Sequence, residues 1–254
     1  MGKKVKAHKE HAPLAISVIG TDTGVGKTII SAGLARTFSK MGMKVGVFKP
    51  FAADPAVRST GEGFSTDADL LARAVNMEGG AEAACGQLLA APLSPLAAAE
   101  LEGKEVDIDH ALDQAHHIIN RHEITVIEGC GGWLVPLTDQ YTTADFFAEL
   151  HVPVIVVARS GLGTLNHTML TLSSIWQSKL DVLGVVLNRS REGPLDKAEK
   201  TNPGILKKFT KLPVWGPVEY KPRLHRDELD RVEIEDLHEL TGIAKDICKV
   251  LKKA

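Results

Sequence analysis

The strongest chemical signal in the chain is the run Gly20-Thr-Asp-Thr-Gly-Val-Gly-Lys-Thr28. Glycines let successive backbone N–H groups turn toward one anion, and the positive end of a following helix adds to that field. In such a loop Gly24, Val25, Gly26, Lys27, Thr28 and Ile29 surround the phosphates of a nucleotide. Lys27 reaches the β- and γ-phosphates, and the Thr28 hydroxyl is placed for Mg²⁺. Five residues separate Gly20 from Gly26, one more than in the common form of the loop. The rival dinucleotide fingerprint, G-x-G-x-x-G, does not fit across residues 20–33.

Two further groups converge on this loop. Lys49 ends the apolar run 45–48, and Glu128 ends the apolar run 124–127 just before Gly129. Ligands of an open α/β sheet sit outside the carboxyl ends of its strands, so both side chains belong beside the phosphate loop. Mg²⁺ takes an oxygen octahedron and keeps some of its waters. Thr28, Glu128 and an acid from the 51–69 segment would suffice. A second lysine suits more than hydrolysis: it can neutralise an anionic acceptor, a carboxylate or carbamate, as that acceptor attacks phosphorus.

The elements that must position these groups alternate along the chain. Apolar runs predict strands at 15–19, 45–48, 124–127, 154–158 and 182–187, with a short one at 213–215. Helical spacing predicts helices at 27–41, 67–76, 107–121, 165–179 and 233–253. A polar loop spans 51–66, Pro92 and Pro95 mark a break before the alanine-rich 96–101, and a loop with three glycines follows Glu128. Strand–helix alternation with fully apolar strands predicts a parallel sheet covered by helices on both faces. The expected organisation is one P-loop α/β domain over residues 14–254, behind a flexible basic tail at 1–13.

At this point the chain resembles the dethiobiotin synthetases. The resemblance rests on the phosphate loop, Phe48-Lys-Pro50, Glu128-Gly-Cys-Gly-Gly-Trp-Leu-Val-Pro136 and Gly163-Thr-Leu-Asn-His167, in the family's order and near its spacing. The longer gap within the phosphate loop is itself a feature of that family. The resemblance implies a P-loop NTPase fold and an ATP- and Mg²⁺-dependent ligase that joins CO₂ to 7,8-diaminononanoate. A carbamate would attack the γ-phosphate, and the second amine would close the cyclic urea. Carried over by position, Thr23, Lys27 and Lys49 act on phosphate and carbamate, and Thr28, Asp67 and Glu128 hold Mg²⁺. Asp69 is an alternative to Asp67. Asn188 contacts adenine, and Lys49, Gly131 and Asn166 meet the substrate, whose carboxylate is reached across a homodimer interface. The chain departs from the family at Ala53 and Asp54, where a hydroxyl residue and glycine are usual, and Gly216-Pro-Val-Glu219 lacks a proline in fourth place. Those departures leave open a paralogous ligase acting on another amine.

The remaining residues narrow the class. Of 254 residues, 44% are hydrophobic and 24% charged, with a net charge of −2, which gives no reason to expect nucleic-acid or membrane partners. The apolar runs fall far short of the roughly 18 residues a membrane helix needs. Three scattered cysteines suit a reducing cytoplasm better than a disulfide framework. Cys130 lies in a glycine turn with no histidine close in sequence, so it reads as a small structural residue; Trp133 reads as packing, and His116 and His117 as a solvated helix face. His8 and His11 sit in the tail at metal spacing, too weak to read as a site. A nucleotide switch of the ParA kind needs a lysine where Asp22 stands, and a cobyrinate-type amidotransferase needs a further glutaminase domain.

Overall fold

Seven parallel strands form the centre of the molecule, in the order Val214–Val218, Val182–Asn188, Val154–Arg159, Leu14–Gly20, Ile124–Gly132, Val45–Ala52, Cys85–Leu88. The computed structural model describes residues 14–53, 55–57, 63–224, 233–237 and 240–251. The basic tail with His8 and His11, and Asp54 among the sequence departures, lie outside the described residues. In chain order the elements are β1 (Leu14–Gly20), α1 (Lys27–Lys40), β2 (Val45–Ala52), β3 (Pro55–Val57), β4 (Gly63–Ser65), α2 (Thr66–Val75), α3 (Gly80–Ala84), β5 (Cys85–Leu88), α4 (Pro95–Glu102), α5 (Ile108–Arg121) and β6 (Ile124–Gly132). They continue with β7 (Pro136–Thr138), β8 (Tyr141–Thr142), α6 (Thr143–Leu150), β9 (Val154–Arg159), α7 (Thr164–Gln177), β10 (Val182–Asn188), α8 (Lys197–Thr210), β11 (Val214–Val218) and α9 (Thr241–Leu251). The pairs β3–β4 and β7–β8 form small antiparallel hairpins.

The central strands are largely apolar because helices cover both faces. On one face Ile16, Val18, Val47 and Val126 pack under Ile30, Leu34 and Phe38 of α1, Leu71 of α2 and Ile247 of α9. On the other, Ile19, Ile127, Val154 and Val156 pack under Leu112 of α5, Phe146 and Phe147 of α6 and Leu172 of α7. No helix among the described residues is long and apolar enough to cross a membrane.

Three boundaries differ from the sequence expectation. β2 does not stop at Lys49: beyond its pairing with β6, which ends at Phe48, the strand pairs Lys49, Phe51 and Ala52 with β5. Pro50 lies past the β6 ladder, where its missing N–H breaks no bond there. The glycines after Glu128 form no loop but the irregular end of β6, where Gly131 takes φ 58° and Gly132 pairs with Gly20 past a register shift. The closing helix begins only at Thr241, because Leu237 is extended (ψ 142°) and ends the turn at Ile234–Asp236. Helices α6 and α8 lie outside the sequence expectation. α8 carries Pro203 and four lysines, yet Asp196 and Glu199 form a capping box at its start, as Thr142 and Asp145 do for α6.

The chain runs from β1 outward to β2 and β5, returns to β6, then crosses to β9, β10 and β11. The order reverses at β1, so the crevice of the sheet opens at the carboxyl end of that strand, where the glycine-rich loop begins.

Candidate active site

A cleft of about 200 Å³ lies over the carboxyl ends of β1, β2, β6, β9 and β10. Thr23, Gly24, Val25, Gly26, Lys27, Thr28, Ile29, Lys49, Asp67, Glu128, Gly131 and Asn188 all line it. Asn166 does not: it is exposed on the first turn of α7.

Gly26 is the N-cap of α1, with φ 93°, a conformation open to glycine and strained for residues with a side chain. It puts Lys27 and Thr28 on the first turn, facing the cleft. Lys27 Nζ donates to Gly131 O at 2.6 Å and Asp22 O at 3.1 Å. Burial, with Lys49 nearby, lowers its pKa to about 8. Lys27 is thus held by two neutral carbonyls, weak partners that a triphosphate can outcompete.

Lys49 is enclosed on all sides. Its Nζ lies 2.6 Å from Glu128 Oε1, 2.8 Å from Asp67 Oδ2 and 3.3 Å from Gly129 O. Burial alone would lower its pKa, but the two carboxylates outweigh it and keep the ammonium charged. Glu128 is fully buried, and that burial pushes its carboxyl up against the pull of Lys49. Asp69, the other acid at the start of α2, pairs instead with Arg73 at 2.7 Å, while Asp67 faces the cleft.

The donor set fits a divalent cation. Thr28 Oγ1 lies 2.8 Å from Asp67 Oδ1 and 2.9 Å from Glu128 Oε1. A hydroxyl has one proton, so it can satisfy only one of these oxygens at a time. Glu128 Oε2 is buried with no hydrogen-bond partner. A hydroxyl and two carboxylates crowded together, with one further carboxylate oxygen orphaned and both acids sharing a single lysine, suit Mg²⁺ better than they suit one another.

The rest of the cleft was not read from the sequence. Arg159, Arg189, Ser190, Glu219, Tyr220, Lys221 and Leu224 also line it. Arg159 ends β9, and Asn188, the last residue of β10, is followed by Arg189, so the strand-end rule that found Lys49 and Glu128 reaches these arginines too. Arg159 pairs with Asp22, the residue standing where a ParA-like switch needs lysine. Asn188 Nδ2 donates to Val25 O at 3.0 Å and so hangs directly over Gly26.

Behind this end lies a buried polar cluster. Glu199 of α8, 2% exposed, accepts from the Asp196 N–H, the Ser160 hydroxyl and Arg189 Nε. These donors hold its carboxyl down, at about 2. A folded value below the ordinary 4.5 means that the stability Glu199 contributes is present above pH 4.5 and lost as the pH falls toward 2. Glu199→Gln should therefore lower the melting temperature at neutral pH, with the gap to the wild type closing below pH 4.5. A gap constant with pH in thermal melts would rule that contribution out.

Other residues behave structurally. Trp133 is buried and stacks on Phe147 at 6.5 Å, and His116 and His117 are exposed on α5. The Cys130 thiol is pushed up by burial, away from the thiolate a nucleophile requires.

Comparison with known proteins places this cleft in a wider context. The family described as "AAA domain" matches residues 15–228. The ATP-dependent dethiobiotin synthetase BioD of Thermodesulfovibrio yellowstonii is 34% identical over 226 residues, spanning 86% of this chain and 94% of that protein. The proteins of the same name from Anaeromyxobacter sp. strain K and Bacillus velezensis are 43% and 39% identical, over 76% and 78% of this chain and 84% and 83% of theirs. Among solved structures, the cell division ATPase MinD of Pyrococcus furiosus superposes with a TM-score of 0.55 at 14% identity, covering 95% of this chain and 100% of that one. The pNOB8 ParA bound to nonspecific DNA gives 0.54 at 12%, covering 95% and 99%. At those identities the structural matches establish the fold alone, a P-loop NTPase sheet. Sequence identity of this order, running nearly the full length of its relatives, settles what the fold leaves open: the chain belongs to the ATP-dependent dethiobiotin synthetase family.

Proposed function

We propose that this chain carboxylates 7,8-diaminononanoate and closes it to dethiobiotin, consuming ATP in the cytoplasm. One amine adds to CO₂, and the nitrogen loses a proton to leave a carbamate. A carbamate oxygen attacks the γ-phosphorus, ADP leaves, and a carbamic-phosphoric anhydride results. The second amine attacks the carbonyl carbon, loses its proton and expels phosphate as the cyclic urea forms.

The chain's own residues divide this work. Lys27 and Thr23 stabilise the phosphates, and Lys49 neutralises the carbamate as it meets the γ-phosphate. Asn188 reads the base, and Gly131 with Lys49 lines the substrate side. Thr28, Asp67 and Glu128 would hold Mg²⁺, which when bound supplies positive charge to the phosphate oxygens. The observation that carries this reading is Lys49: a second buried lysine, salt-bridged to the two carboxylates that Thr28 of the phosphate loop also meets. A nucleotide switch has no use for a fixed cation on the acceptor side.

The reading includes a homodimer. Asn166 and Leu170 lie one turn apart on α7, and Leu162 stands just before the helix, with Leu162 95% and Leu170 63% exposed. A second copy covering this face would bring Asn166 to the neighbouring cleft, where its own chain does not take it.

The test is ADP release by purified protein with ATP, Mg²⁺ and bicarbonate, with and without 7,8-diaminononanoate, together with mass detection of the urea. Diamine-dependent turnover that yields the urea is expected. Nucleotide binding without such turnover would point to a ligase for another amine, the reading that Ala53 keeps open.

A further inference from the structure

We propose that Glu199, which lies outside the cleft, is a positioning residue that sets its nucleoside end, acting through Arg189 and Ser160 on Asn188. The inference rests on the nucleotide reading above and goes beyond it, because Glu199 belongs to no phosphate, metal or acceptor contact.

Three segments meet on this carboxylate. Ser160, just past β9, donates its hydroxyl to Glu199 Oε1 at 2.8 Å. Arg189, just past β10, donates its Nε to the same oxygen at 3.1 Å and its Nη2 to Gly193 O at 2.8 Å. Asp196, the cap of α8, donates its N–H to Oε2 at 3.0 Å. Asn202 closes the cluster from one turn further along α8, donating to Ser160 O at 2.9 Å and Gly161 O at 3.1 Å. The side chains of Glu199, Ser160, Arg189 and Asn202 are each at least nine-tenths buried.

The cluster is joined to the cleft by main chain. Ser160 N donates to Asn188 O at 2.9 Å, and Arg189 N to Val218 O at 3.2 Å. Residues 188–190 line the cleft, and Asn188 reaches from there over Gly26 to Val25 O. Glu199 therefore fixes where the Asn188 amide stands relative to the phosphate loop. The loop itself depends on other contacts, those of Lys27, Thr28 and the turn that caps α1. Losing the Glu199 charge leaves Arg189 buried beside a weaker acceptor and loosens residues 188–190, while the phosphate cradle stays as it is.

This separation gives the test. Affinity is measured by calorimetry, in Mg²⁺, for ATP and for inorganic tripolyphosphate, which needs the phosphate loop but no nucleoside end. Glu199→Gln should weaken ATP about tenfold and leave tripolyphosphate within about twofold. Ser160→Ala keeps the ion pair whole and should shift ATP in the same direction by about threefold, again sparing tripolyphosphate. A role in general stability alone would weaken both ligands together, and that result, or unchanged ATP binding in the two variants, would overturn the proposal. Wild-type protein that bound neither ligand would overturn the nucleotide reading itself, and this inference with it.

Discussion

Lys49→Ala should reduce diamine-dependent ADP release by roughly 10³-fold, the scale on which a preorganised charge at a reacting group is felt. The same substitution should destabilise the protein in EDTA by about 3–5 kcal/mol, because it breaks a buried ionic cluster from one side. Lys49 stands 2.6 Å from Glu128 and 2.8 Å from Asp67, and its side chain is 4% exposed. Without it, the two acids face each other and Thr28 with no cation among them. The variant can relieve this by protonating Glu128, whose carboxyl burial already raises, or by taking up a metal ion. Mg²⁺ should therefore restore part of the lost stability, by RT ln(1 + [Mg²⁺]/Kd), but none of the turnover. Urea unfolding with and without Mg²⁺, beside the ADP assay, separates the two effects. Unchanged stability in EDTA would mean that the acids do not depend on Lys49. Full turnover in Mg²⁺ would remove Lys49 from the chemistry.

Much of this site is legible in the sequence because its residues sit where local rules are strongest. The glycine-rich loop, Lys49 and Glu128 each follow an apolar run, and a strand that ends at a charged residue or glycine identifies its own carboxyl end. The seven-stranded sheet follows from the same runs, apart from β5. Cys85-Gly-Gln-Leu88 is short, only partly buried and without an apolar run of its own. Its place at the edge is set by pairing with Lys49, Phe51 and Ala52, a long-range contact that local pattern does not encode.

The part of the cleft beyond Asn188 is hard to read in the sequence for a different reason. Glu219, Tyr220, Lys221 and Leu224 follow β11, which reads as a short strand because Gly216 and Pro217 interrupt it. Glu199 belongs to a helix against which its interior proline argues, although the D-x-x-E capping box at its start marks a helix there. The choice between Asp67 and Asp69 could not come from spacing at all. Both acids lie in the first turn of α2, and packing aims one at Thr28 and the other at Arg73.

Gly26→Ala should lower ATP affinity by at least about 100-fold, through two costs that can be told apart. The first is backbone strain: φ is 93°, and holding a residue with a side chain there costs about 1–3 kcal/mol. The second is collision, since a Cβ at this position would lie 2.1 Å from Asn188 Nδ2. Because that amide donates to Val25 O, alanine must displace the side chain that spans from β10 to the phosphate loop. Gly24 supplies the control. Its φ is 72° with nothing within 4 Å of a Cβ, so Gly24→Ala carries strain alone and should cost ATP only about tenfold. The collision can also be removed from the other side. Asn188→Ala deletes the amide that a Cβ at Gly26 would strike, so the double variant Gly26→Ala/Asn188→Ala should bind ATP more tightly than the two single effects multiplied together. Binding measured across that cycle decides the matter. Strict multiplicativity would mean that alanine acts through the backbone only and that the collision with Asn188 costs nothing.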